Sequence, residues 1–198
     1  MPSSSLPGAA ALAAGLIFGP ASAEELQEAE TGTLLEMAGH RALARTRARA
    51  PDPAPFQTDG CSGGMSASWA LAAQVFSAFE ARHGVVPPWQ DCCVTHDRAY
   101  HSAGPDISAD ASFQARLSAD EVLRACVVST AELRLEELAT AYGTSEDVVL
   151  AGYRLVSDAM FQAVRTGGAP CSGLPWRWGY GYPGCIVQPQ DFRVEDDP

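Results

Sequence analysis

Nine consecutive residues, Cys92-Cys93-Val94-Thr95-His96-Asp97-Arg98-Ala99-Tyr100, hold the densest set of reactive side chains in this sequence. On a helix, side chains four positions apart share a face. Cys92, His96 and Tyr100 then stack on one stripe, and Cys93 and Asp97 on the next. Each stripe starts with a sulfur that can be tied down covalently and continues into a polar group that can do chemistry. An imidazole suits general-base work near neutral pH. A neighbouring carboxylate suits calcium, which takes roughly six to eight oxygen ligands, many of them carbonyls. The Gly-rich segment Asp59-Gly60-Cys61-Ser62-Gly63-Gly64 is the flexible loop that such a cation needs.

The pattern Cys-Cys-x-x-His-Asp-x-x-Tyr resembles the active-site helix of secreted phospholipases A2, and the likeness runs from Asp59 to Cys126. The resemblance implies a mainly α, disulfide-stapled phospholipase A2-like domain with two antiparallel core helices plus additional helices. It implies calcium-dependent hydrolysis of phospholipid acyl esters at a membrane or micelle surface. His96 would activate a water, and Asp97 would bind Ca2+ with loop carbonyls of Gly60, Ser62 and Gly64. A bacterial branch of the family uses an Asp-x-Cys loop instead, which would bring in Asp59; both versions stay open. A Cys61–Cys93 bridge would pin the loop one helical turn from Asp97, and a Cys92–Cys126 bridge would make the two helices antiparallel.

The family also implies a second aspartate that orients the histidine and is supported by Tyr100. Asp120 and Asp110 are the candidates. With Cys92 bridged to Cys126, His96 lies about 6 Å along the axis, Asp120 about 9 Å and Asp110 about 24 Å. Asp120 is therefore preferred, and its Asp-x-x-Leu-x-x-Cys spacing is similar to the family pattern. The chain departs from the family in its Cys-Ser-Gly-Gly loop, its six cysteines and everything after Val127. The rival reading is a non-catalytic lipid- or protein-binding module of the same build.

Several elements must position these groups. Glu24 to Ala50 reads as a polar helix without a firm apolar stripe, ended by Pro51, Pro53 and Pro55, so residues 24–55 are expected to be a spacer or loosely packed arm. The domain proper is expected over 56–198. Trp69 to Arg82 reads as a helix with Leu71, Val75, Phe76 and Phe79 as its apolar stripe. The Cys-Cys helix runs from about Trp89 to His101. Ser108 is a plausible N-cap for a long helix to about Ser129. A Glu/Leu-rich helix follows over Ala131 to Ala141, and Gly143 breaks it. Thr144 or Ser145 caps a last helix whose stripe is Val148, Val149, Leu155, Val156, Ala159, Met160 and Val164. The turn-rich tail is expected to be closed by Cys171 and Cys185. Its Trp176, Trp178, Tyr180 and Tyr182 are read as packing against the helices rather than meeting lipid.

Composition narrows the partners. The 198 residues carry a net charge of −11, which is no footprint for nucleic acid. Ala9 to Phe18 with Ala21-Ser22-Ala23 reads as a signal peptide over 1–23, too short to span a bilayer, so the mature chain is expected to be secreted or periplasmic without a transmembrane segment. No Lys or Arg precedes the apolar run. An even cysteine count in an exported chain favours three disulfides, although six cysteines allow 15 connectivities. No Cys-x-x-Cys pair favours zinc. Gly60-Cys61-Ser62-Gly63-Gly64 also fits Gly-x-Ser-x-Gly, but the preceding Ala54 to Thr58 is not the strand that a serine-hydrolase elbow needs. His40, His83 and His101 have no comparable company. The sequence does not speak to oligomeric state.

Overall fold

The structure is a computed structural model that describes residues 23–61 and 65–193. The expected leader up to residue 22 lies outside the described residues, as do Ser62, Gly63 and Gly64. The described residues form seven α-helices and no strand: α1 Ala23–Arg49, α2 Met65–Val75, α3 Ser77–His83, α4 Gln90–Ser102, α5 Ala109–Glu132, α6 Leu135–Tyr142 and α7 Glu146–Gly167. A short 3₁₀ turn, Pro189–Phe192, follows in the tail. The expected pairing of all six cysteines is the one present: Cys61–Cys93, Cys92–Cys126 and Cys171–Cys185. None of the helices is long and apolar enough to cross a membrane among the described residues.

Helix α5 is the axis of the fold. Ser108 caps it, accepting from Ala111 N at 3.3 Å and so satisfying one of the donors a helix start leaves open. Its buried stripe is Ser112, Arg116, Asp120, Leu123, Val127 and Ala131. The first half of that stripe is polar and the second half apolar, so α5 needs polar partners at one end and an oily core at the other. Helix α4 pairs antiparallel with it: Cys92 bonds to Cys126 near one end, His96 meets Asp120, and Tyr100 meets Arg116 near the other. Helix α7 also runs antiparallel to α5, from the Arg124–Asp158 ion pair to Arg116 bonding the Val164 carbonyl. Around the apolar half, Trp89, Cys92, Cys93, Leu123, Val127, Leu138, Tyr153 and Met160 form the main core. Burying a side chain such as the wholly enclosed Val127 contributes about 1.5–3 kcal/mol.

The stretch read as a spacer is helical, but it is not a loose arm. Ala38, His40, Ala42 and Leu43 are buried, and α1 packs on α5 and on the 3₁₀ turn. Its inward stripe is Glu36, His40, Leu43 and Arg47. Glu36, His40 and Arg47 meet polar partners, which is why hydrophobic periodicity did not reveal them. His40 Nδ1 lies 2.9 Å from Ser112 Oγ, and Arg47 donates to the carbonyls of Ala103, Gly104 and Asp106.

Two apolar stripes are also placed differently from expectation. The helix read over Trp69 to Arg82 breaks at Phe76, whose φ of −120° and ψ of 98° are extended. Leu71, Val75 and Phe76 are exposed, because Met65, Trp69 and Ala73 make the inward face. On α7 the packed residues are Val149, Tyr153, Val156, Met160 and Val164, while Val148 and Leu155 stand exposed. In the tail, Trp178 is fully enclosed and donates to Ser112 Oγ at 2.9 Å. Tyr182 is buried with it, so the packed reading holds for these two rings. Tyr180 and Trp176 are half-buried.

Candidate active site

Adjacent cysteines anchor α4 in opposite directions. Cys92 ties it to α5 with Cα atoms 5.7 Å apart, and Cys93 ties it to the loop before α2 at 5.0 Å. One turn further along, the two stripes deliver His96 and Asp97, both buried. The spacing read from the sequence is thus converted into two separate environments on one helix.

On the first stripe, His96 Nε2 lies 2.8 Å from Asp120 Oδ1. Tyr100 donates to the same oxygen at 2.7 Å, and Arg165 Nη1 donates to Asp120 Oδ2 at 3.1 Å. A carboxylate can only accept, so Nε2 carries the proton and Nδ1 holds the lone pair of the neutral ring. The phenol of Tyr100 is pushed above its usual range, chiefly by burial, so it remains a donor to Asp120. Gly168 makes room for this tyrosine: a Cβ there would stand 2.7 Å from its ring. Asp110, the alternative orienter, is exposed at the start of α5.

Behind Asp120 lies a charge network that sequence patterns did not reveal. Arg116 is fully buried; its Nε donates to Tyr100 Oη at 3.1 Å, and it pairs with Glu36. Arg165 Nη2 pairs with the other Glu36 oxygen at 2.6 Å. Burial alone would raise the Glu36 pKa. The His40 hydrogen bond and the charges of Arg116 and Arg165 override it and hold the carboxyl at about 2. The repeated four-residue step Ser112, Arg116, Asp120 is the signal that could have led to Arg116. Nothing local in the sequence linked Glu36 to a group on the far side of the chain.

On the second stripe, Thr58 donates to Asp97 Oδ2 at 2.5 Å, and Gly60 N donates to Thr58 Oγ1 at 3.0 Å. Gly60 has a φ of 82°, and a Cβ there would lie 2.9 Å from Ser66 Oγ, so the turn requires glycine. Burial pushes the Asp97 carboxyl above its usual range. The Thr58 bond and His96 oppose the shift, and Asp59 adds to it. A cavity of about 310 Å³ beside it is lined by Gln57, Thr58, Asp59, Asp97, Trp176 and Tyr180, with Pro175. No group of three or more His, Cys, Asp or Glu side chains suited to a metal occurs among the described residues. The side-chain oxygens lining it include the carboxylates of Asp97 and Asp59 and the Thr58 hydroxyl, donors of the hard kind that calcium accepts. Among the expected loop ligands, Gly60 belongs to this turn, while Ser62 and Gly64 lie outside the described residues.

His96 and Asp97 both line a larger cavity of about 520 Å³. Its walls come from α2 (Met65, Ser68), α5 (Leu123) and α7 (Val156, Ala159, Met160, Ala163, Val164), with Trp176 from the tail. The arrangement sets a histidine of fixed tautomer and a buried carboxylate in the wall of a mostly apolar cavity. No family model, curated protein or solved structure matches this chain.

Proposed function

We propose that this chain is a secreted or periplasmic phospholipase A2-type ester hydrolase, dependent on calcium, acting peripherally on a phospholipid surface. The observation that carries this reading is that His96, held by Asp120 and Tyr100 on one side, lines an apolar cavity on the other, next in sequence to the buried carboxylate Asp97. An apolar slot ending in a few fixed polar groups suits one acyl chain with its ester at the head. Three disulfides suit an oxidising compartment.

In this reading His96 Nδ1 takes a proton from a water as that water attacks the ester carbonyl. Asp120 holds the ring in the productive tautomer and stabilises the imidazolium that forms, and Tyr100 and Arg165 keep Asp120 in place. The imidazolium then returns its proton to the leaving alcohol. Asp97 and Asp59 with the Thr58–Gly60 turn would hold calcium, which polarises a carbonyl and stabilises an oxyanion when bound. The apolar walls keep bulk water away from the base.

Fatty-acid release from phosphatidylcholine in mixed micelles, with calcium or with EDTA, tests the proposal. Release is expected with calcium alone and is expected to be abolished by His96→Asn and by Asp97→Asn at unchanged circular dichroism. Retained release in either variant, or in EDTA, refutes it. Calcium uptake and micelle binding without release would leave the non-catalytic lipid-binding module.

A further inference from the structure

A second cavity of about 500 Å³ adjoins the first along α7. Val156 lines both. On α2 the wall passes from Ser68 in the first cavity to Trp69 in the second. From Val164 beside the site to Val149 at the far end, α7 offers a wall of about 22 Å at its 1.5 Å rise per residue. Three ring groups in the distal wall are already paired: Trp69 Nε1 with the Gly84 carbonyl at 3.2 Å, Trp89 Nε1 with Met65 Sδ at 3.4 Å, and His83 Nε2 with Tyr142 Oη at 2.5 Å. An apolar ligand there leaves these paired groups undisturbed, whereas a polar one finds few partners. Gly152 lines the same cavity, and a Cβ on it would meet nothing within 4 Å. A glycine inside a helix costs stability relative to alanine, and no neighbour demands it here. Gly152 is exposed and leaves its stretch of the cavity wall without a side chain.

We propose that the second cavity receives the methyl end of a long acyl chain whose carboxyl or ester end lies at His96, so that the pair of cavities selects long chains over short ones. The inference rests on the hydrolase reading for the identity of the ligand. Decanoyl chains end in the first cavity, and palmitoyl chains reach past Val156 into the second.

The test uses Gly152→Leu, which fills the distal space with a better helix former and lies about three turns along α7 from Val164 beside the site. Binding of decanoate and palmitate to the full-length protein is measured by calorimetry, and hydrolysis of didecanoyl and dipalmitoyl phosphatidylcholine is measured in the same micelles. Losing the burial of about two methylenes already weakens binding about tenfold. Gly152→Leu is therefore expected to weaken palmitate by tenfold or more and leave decanoate within about twofold. Unchanged palmitate binding, an equal loss for decanoate, or no fatty-acid binding by the parent protein overturns the proposal. A change in sedimentation of the lipid-free variant overturns it too, because the cavity would then be a contact between copies. Length-dependent binding without hydrolysis of either ester upholds the cavity and removes the hydrolase reading. Hydrolysis with the same chain preference in parent and variant does the reverse.

Discussion

Glu36→Gln removes the carboxylate that pairs with Arg116, and the structure sets the size of the loss. Glu36 is held at about 2 against an ordinary value of 4.5, a difference that corresponds to about 3 kcal/mol. Its side chain is only 14% exposed, so solvent screening takes little of this. A second route agrees: removing one partner of a buried ion pair costs about 3–5 kcal/mol, and Arg116 is fully buried. At the ~2–4 °C per kcal/mol expected for a chain of this size, Tm falls by about 6–12 °C at pH 7. The pH dependence gives the sharper test. A carboxylate with a lowered folded pKa contributes fully above its unfolded value and loses that contribution as pH falls through the folded one. The parent protein's advantage over Glu36→Gln should therefore shrink to less than half by pH 3. Thermal denaturation of both proteins from pH 7 to pH 3 measures it. A loss under about 1 kcal/mol at pH 7, or a gap that does not narrow in acid, refutes the claim that this network ties α1 to the site.

Other perturbations separate the parts of the site. Asp120→Asn is expected to lower kcat by about 10²–10⁴ by releasing the histidine tautomer, with KM little changed; an unaltered kcat would remove Asp120 from the mechanism. Calcium at about a hundred times its Kd should add about 2.7 kcal/mol and raise Tm by about 5–11 °C. That gain should be smaller near pH 4 than at pH 7, because burial raises the Asp97 pKa and the carboxyl must lose its proton to ligate. A Tm indifferent to EDTA at pH 7 argues against the cation. Replacing Cys61 and Cys93 by serine frees a link across 32 residues, a loss of about 4 kcal/mol on the chain-entropy model. Activity should fall at temperatures where circular dichroism still reports a folded chain, since the Thr58–Gly60 turn is then no longer pinned beside Asp97.

Local pattern carried the sequence reading where the signal was local. The four-residue spacing of Cys92, His96 and Tyr100 placed them on one stripe, and Ser108, Gly143 and Ser145 marked helix ends within a residue or two. The axial arithmetic along α5 separated Asp120 from Asp110. The method failed where burial is polar. Glu36, His40 and Arg47 point inward from α1, yet they look like solvent-facing residues, because their partners Ser112, Arg116 and the Ala103 carbonyl lie over fifty residues away. It also failed on α2 and α3, where Leu71, Val75 and Phe76 imitate a core stripe while Met65, Trp69 and Ala73 take the core. Hydrophobicity says how much surface a helix would hide, and only the neighbours decide which face it hides.

The two residues that hold Asp120's surroundings come from opposite ends of the chain, Glu36 near the beginning and Arg165 in the last long helix. Between them lie both site disulfides and the whole of α5. A nascent chain that has produced His96, Asp97 and Asp120 still lacks the guanidinium that steadies the orienting carboxylate. Competence is therefore a property of the finished, oxidised chain. A fragment cut after α6 would keep the motif and lose both the charge clasp and the α7 wall of the cavity beside His96.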